Sequence, residues 1–504
     1  MHSIHLQSKI IILLLVCVCT LPLHPSPRLT VVVAVDGMSQ SDLNMLRTYW
    51  QQGGLRTLSE EAYQTQVTFP HQVYGGDETL ATMLTGVTPD QHSLCMDYYY
   101  NRRDRKVYPT LKDDNYTGIG TSVPYSPQAV LTPTMSDRLR MAEGDDAAIY
   151  AIGLHPSTTI VLAGHAANAC CWLQQNEEDG HWQWASTSFY HDGLPAAADE
   201  MNMNGHINEL ASRTWMPRMD IAMYNRPSAE ERKAKGFSIS QQSCLTSTPA
   251  GNTLVIELAL ALQEKKNLGK NAIPDMLLLE LTVSSPHATA DRIQTAEQED
   301  MYLWLNQDLG YLMEQLDRRI GHTNYNILVV GLPRLGADAS RLADINMPVR
   351  NFNVEQAAAL TNTYLMAIYG HERWVDGGFG QSIYLNRTLI EQKHQSLANI
   401  QQQVADFLME FTGIHTAFPA SAAYLNPSLA TSMHKRYIGD VIFRLESGCQ
   451  LTHTSYVNGH EQDSPIDRIL DEQPSTPVLY WSGTHFTFPQ SDINATDILR
   501  LVLP

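Results

Sequence analysis

The sequence predicts an α/β chain on a doubly wound, mostly parallel sheet carrying a large inserted cap. Three observations predict it. Uninterrupted β-branched runs such as Leu29 to Val35 have the composition of strands covered on both faces. These runs alternate with segments of helical periodicity, the pattern of a doubly wound sheet. Hydrophobic residues make up 43% of the chain and charged residues 17%, which excludes a disordered polymer.

Leu29 to Val35 reads as a first strand ending in Asp36-Gly37. Ser41 to Tyr49 reads as a helix stopped by Gly53-Gly54. Ala148 to Gly153 is a second strand, with Thr158 to Ala163 a further strand-like run. Asn252 to Glu264 is an amphipathic helix before a third strand, Met276 to Val283. Glu297 to Ile320 is a long helix, Asn326 to Val330 a fourth strand and Arg387 to Thr412 another helix. Val478 to Trp481 is a late strand, and Asn494 to Leu503 closes the chain as a helix. The stretch 97–248, richer in Tyr, Trp, Asn and Gly, reads as a cap inserted into a domain spanning 28–504. Ligands of such sheets bind at the carboxyl ends of the strands. That points to Asp36, the Ser284–Asp291 loop and the Gly331–Gly336 loop.

The first 24 residues read as a secretory signal. Lys9 precedes an apolar run, Ile10 to Leu21, shorter than the roughly 20 residues a membrane-spanning helix needs. Pro22, Pro25 and Pro27 then break it. Val16-Cys17-Val18 before Cys19 lacks the small residues of a lipoprotein site, so the expectation is a secreted or periplasmic protein without a lipid anchor or later transmembrane helix. The remaining cysteines, Cys95, Cys170, Cys171, Cys244 and Cys449, contain no C-x-x-C pair and so no zinc-ribbon spacing. Among 504 residues, 34 Lys and Arg stand against 53 Asp and Glu, a net charge of −19. Nucleic acid is an unsuitable partner for such a chain.

Several segments, in order across the mature chain, carry a resemblance: VVVAVDGMSQSDL at the first strand, GGLRTL, LTGVTPDQHS at Leu84 to Ser93, TIVLAGHAANACCWL, TSFYHDGLP, TPAGNTL at Thr248 and EQEDMYLWLNQDL at Glu297. The chain resembles the alkaline phosphatase superfamily, closest to the phosphate-irrepressible periplasmic alkaline phosphatases, with nucleotide pyrophosphatase/phosphodiesterases as cousins. The resemblance implies a two-zinc centre that clamps the attacking and leaving oxygens of a phosphoryl displacement. It also implies a Thr or Ser nucleophile, and an Asn, a Lys and an Arg on the phosphoryl oxygens.

Placed on this sequence, most of those groups are replaced. Asp36 matches the first metal ligand. The nucleophile position falls on Gly76 in HQVYGGDETLATMLTG, and the phosphoryl-contacting Asn falls on Asp97. The Lys and Arg positions fall on His155 and Ser157. The Asp and His of the metal pair after the third strand fall on Ser285 and Thr289. The Asp-His pair after the fourth strand falls on Leu332 and Pro333. His453 and His460 are candidates for the last metal histidine.

Two readings follow. In one, the chain is a catalytically degenerate phosphatase relative that binds or scaffolds an envelope partner or ligand, with no cofactor. In the other, His71, Asp77, His287 and Asp291 join Asp36 and Glu78 in a rebuilt zinc site, and the chain is a metal-dependent phosphomonoesterase or phosphodiesterase. Each of these residues also has an ordinary reading: Asp36 as acceptor of backbone N–H groups at the next helix start, His287 and Asp291 as surface loop residues. His165 is expected to hydrogen-bond in the core. Tyr98, Tyr99 and Tyr100 line the cleft or pack the cap. Arg102, Arg103, Arg105 and Lys106 are expected on a solvated face.

Overall fold

The computed structural model describes residues 27–73, 75–286, 295–333, 350–446, 448–457, 460–465, 475–483 and 493–503. The signal segment, His287, Thr289 and Asp291 lie outside them, as do the side chains of His453 and His460.

A nine-stranded sheet organises the chain. Its strands are β1 Leu29–Asp36, β2 Tyr63–Thr68, β3 Gly118–Ile119, β4 Ile149–Gly153, β5 Ala169–Gln175, β6 Trp182–Thr187, β7 Asp275–Thr282, β8 Tyr325–Leu332 and β9 Ser475–Ser482. They run in the order β2-β9-β8-β1-β7-β4-β5-β6-β3. The five central strands, β8 to β5, are parallel, and the outer pairings are antiparallel. Along β1, Val31, Val33 and Val35 enter one core while Val32 and Ala34 enter the other. This is the period-2 alternation of a strand with helices on both faces. The first core holds α5 Pro249–Lys266 and α6 Ala296–Arg319; the second holds α3 Gly76–Thr85 and α4 Pro156–Ala163, with α1 Gln40–Leu46 and α2 Gly54–Glu61 on the first side. No described helix is long and apolar enough to cross a membrane.

Three expectations are corrected. Thr158–Ala163 is helical, because Pro156 opens α4 at its first turn and Gly164, at φ 60°, closes it. A short, wholly buried apolar run has no polar face to betray its period. The helix expected from Arg387 to Thr412 is two, Arg387–Gln392 and Leu397–Leu408, separated near His394 at positive φ, with Ser396 capping the second. The stretch 97–248, expected as a cap built on the core, itself supplies β3, β4, β5 and β6 of the sheet. Its aromatic richness is core packing: Trp172 and Trp184 are fully buried. A separate layer is built instead by residues 350–446. A four-stranded sheet there packs on helices Val354–Tyr369 and Leu397–Leu408 around its own core.

Candidate active-site cleft

The parallel register brings three sequence-predicted positions to one sheet edge. Asp36 lies beside Thr282 of β7 on one side and Leu332 of β8 on the other. The half-buried Asp36 carboxylate accepts hydrogen bonds from Thr282 Oγ1 at 3.2 Å and from Ser284 Oγ, both on its Oδ2. It does not cap the following helix. Ser39 does that, its side chain accepting from the Asp42 N–H.

The N-terminus of α3 forms the second wall. Gly75 precedes the helix and Gly76 is its first residue. A Cβ on Gly76 would meet nothing within 4 Å, whereas one on Gly75 would sit 2.8 Å from Asp97 Oδ1. The position expected for a nucleophile is therefore open space beside a helix N-terminus, and the chain's own Asp97 carboxylate lies alongside. Anions are favoured at such a terminus. Asp77, on the first turn, is buried and hydrogen-bonds with Ser157 and Thr158 of α4, the latter at 2.8 Å. Burial raises its pKa, the two hydroxyls pull it down, and Glu280 and His155 act on it in opposite senses.

The third wall starts at His155, the residue before α4. Its Nδ1 lies 2.8 Å from Glu280 Oε1, and its backbone N–H donates to Glu280 Oε2 at 2.9 Å. The same oxygen also accepts from the Leu154 N–H and the Thr159 hydroxyl. Burial opposes charge on the imidazole, but the Glu280 carboxylate outweighs it and lifts His155 to about 9, with Asp36 and Asp77 adding to the effect. The side chain at the position expected for lysine is thus an imidazole held by an internal carboxylate. Glu280 was passed over in the sequence reading. Its signal was a lone acid in the apolar strand MLLLELTV, and such a charge is retained in a buried strand only when several donors meet it.

The other predicted positions do not converge here. Ser285 is buried, and Leu332, though beside Asp36 in the sheet, turns its side chain into the apolar core while its carbonyl accepts from the Gly37 N–H at 3.2 Å. His71 is fully buried, with Nδ1 2.8 Å from the Gln72 carbonyl and Nε2 2.9 Å from Thr82 Oγ1. His92 Nε2 shares that hydroxyl at 3.1 Å, and burial lowers the two histidines to about 4 and about 3. His165 is half-buried, not in the core, and its Nδ1 lies 2.9 Å from Asp137 Oδ2. Tyr100 packs on Tyr384 and donates to the Asp376 carbonyl, while Tyr98 is exposed. The basic run is not simply solvated: Arg102 pairs with the buried Asp440 and Arg105 with Asp376.

Among the described residues the donors do not make up a two-zinc centre. Catalytic zinc takes about three protein ligands. Among the described residues no group of three His, Cys, Asp or Glu is placed to hold a metal ion.

Comparison with known proteins bears on the family directly. The family model for type I phosphodiesterase / nucleotide pyrophosphatase matches residues 30–462. The chain belongs to this family. It is 22% identical over 405 residues to alkaline phosphatase PafA of Elizabethkingia meningoseptica, covering 75% of this chain and 73% of the relative. It is 23% identical over 472 residues to alkaline phosphatase PhoV of Synechococcus elongatus, covering 88% and 84%. The crystal structure of wild-type PafA superposes with a TM-score of 0.77 at 18% identity over 94% of each chain, which shows the alkaline phosphatase-like fold. Type I phosphodiesterases and their alkaline phosphatase relatives are metal-dependent hydrolases.

Proposed function

We propose that this chain is a catalytically silent member of its family that uses the fold as a binding or scaffolding protein in the cell envelope. The observation that carries the reading is the pairing of Gly76 with Asp97. The position at which counting along the sequence sets the nucleophile is glycine, and Asp97, where counting sets the phosphoryl-contacting Asn, lies beside the preceding Gly75. Phosphate esters would meet Asp97 and Asp36, and among the described residues named here the cation beside them, His155, is already paired with Glu280. Phosphoryl transfer depends on stabilising charge that such a cleft lacks. Export to the envelope rests on the Lys9-led apolar run and the proline break after it. The partner, an envelope protein or ligand, would not be a nucleic acid.

Asp36 supports a second reading, since it keeps the first ligand position at the end of β1. In it, the chain is a metal-dependent phosphomonoesterase or phosphodiesterase whose zinc site is rearranged around Asp36 with His287 and Asp291. Metal analysis of the purified protein, with hydrolysis assays on p-nitrophenyl phosphate and bis-p-nitrophenyl phosphate, separates the two. Envelope pull-down with Asp97→Lys and His155→Ala variants then tests the binding role. Retention of every partner by both variants would rule out the cleft as the recognition surface.

A further inference from the structure

A second feature lies where the segment Cys95–Met96 meets the layer built by residues 350–446. A cavity of about 40 Å³ is lined there by Cys95, Met96, Gln381, Met433, His434 and Tyr437, among others. One water needs roughly 10–15 Å³ measured in this way, so the space admits a group of a few heavy atoms. Gln381 is only 6% exposed, yet neither its amide nitrogen nor its amide oxygen has a hydrogen-bond partner among the described residues. The buried Nδ1 of His434 is in the same position. Three polar atoms without partners line one cavity, and buried polar groups are seldom left this way without a bound group.

The chemistry of the walls selects the guest. A carboxamide side chain presents an N–H donor and a carbonyl acceptor side by side, and its natural complement is another amide presenting the reverse pair. His434 Nδ1 can donate or accept according to its tautomer. Burial lowers the His434 pKa, and Lys435 and Arg436 lower it further, so the ring is neutral. Burial also holds the Cys95 thiol well above its usual range, with Glu78 adding to the effect, so it is a neutral wall and not a nucleophile. Met96 and Met433 supply polarisable, adaptable sides. A neutral guest suits these walls better than a carboxylate.

We propose that this cavity binds a primary carboxamide group, held by the paired donor and acceptor of Gln381. The amide comes either from a free small molecule or from an Asn or Gln side chain of a peptide. The site is independent of the reading given above and stands whether or not the cleft turns over phosphate esters. The mature full-length chain, labelled with ¹³C at the methionine methyls, is titrated with acetamide while the Met96 and Met433 resonances are followed. Acetate and acetone are run beside it. Saturable shifts with acetamide are expected, with binding at least tenfold weaker for acetate and for acetone. Gln381→Leu should abolish saturation while leaving the near-ultraviolet circular dichroism unchanged and Tm equal or higher. If that variant does not fold, the near-isosteric Gln381→Glu should weaken acetamide binding at least tenfold. N-acetylglutamine methylamide binding more tightly than acetamide assigns the site to a peptide side chain; weaker binding assigns it to a free amide. Absence of saturable shifts with both amides, or equal shifts in the Gln381 variants, overturns the proposal and leaves a cavity that holds water.

Discussion

At the first turn of α3 a side chain would have room, and the backbone there does not require glycine: Gly76 is absent from the residues at positive φ. Gly76→Thr should therefore fold and gain roughly 0.5 kcal/mol, since it narrows the unfolded ensemble without native strain. It should still release no p-nitrophenolate from p-nitrophenyl phosphate, because a hydroxyl alone is not activated. Urea melts and a chromogenic assay check both parts, and turnover in the variant would reveal an intact metal site. The His155–Glu280 pair makes a second prediction. The folded-state pKa of His155, about 9, stands above its ordinary 6.5. The stability it contributes is thus full below pH 6.5 and lost as pH rises through about 9. A ¹³C NMR titration should place its midpoint near 9, and Glu280→Gln should bring it down; a wild-type midpoint near 6.5 would remove the ion pair. At this scale the sequence allowed Gly76, Asp97 and His155 to be placed, because registration against flanking motifs needs only counting. Glu280 and the hydroxyls of Thr282 and Ser284 escaped notice because their roles arise only when β1, β4 and β7 are side by side.

Between α5 and α6 a buried acid makes the packing sensitive to pH. Asp308 of α6 accepts from Thr253 of α5 at 3.4 Å, and its other oxygen has no partner among the described residues. Burial raises it from 3.8 to about 7, against the pull of Thr253. The folded state therefore favours the protonated form. The associated stability is full below pH 3.8 and is lost as pH rises through about 7. Asp308→Asn should nearly match wild type in unfolding free energy at pH 4 and exceed it at pH 8, by an amount on the order of 4 kcal/mol. A constant difference across that range would contradict the assignment. Elements were read well where periodicity is pronounced. The long helix α6 was expected at Glu297–Ile320 and spans Ala296–Arg319. They were misread where burial is complete on all sides, as in α4, whose apolar run gives a strand and a helix the same appearance. There the punctuation of Pro156 and Gly164 held the answer.

Across the whole molecule, the layer built by residues 350–446 is fastened by one buried carboxylate. Asp440, fully buried, lies 2.7 Å from Arg102 of the hairpin at Tyr98–Pro109 and 2.7 Å from Arg387 of the layer itself, and also accepts from the Leu385 N–H. Asp440→Ala would remove the acceptor shared by two partly exposed guanidinium groups and the buried Leu385 N–H, and should cost about 1–3 kcal/mol. Chemical denaturation measures it, and a loss below about 1 kcal/mol would mean that apolar packing alone holds the layer. This layer went unseen in the sequence because its strands are short. Val375–Phe379 carries two glycines, and Ser382–Leu385 is only four residues long. The sheet was legible because its central strands must be apolar on both faces, and that constraint is written into β1, β7 and β8. The net charge of −19 also takes on a local meaning, since Asp36, Asp77 and Asp97 gather at the sheet edge while Glu280 holds the His155 imidazole. The most direct measurement combines zinc stoichiometry and ester hydrolysis on the purified mature chain after incubation with zinc. The account predicts no stoichiometric zinc and no turnover of either chromogenic ester above the uncatalysed rate. Stoichiometric zinc together with turnover that disappears in Asp36→Ala would contradict it.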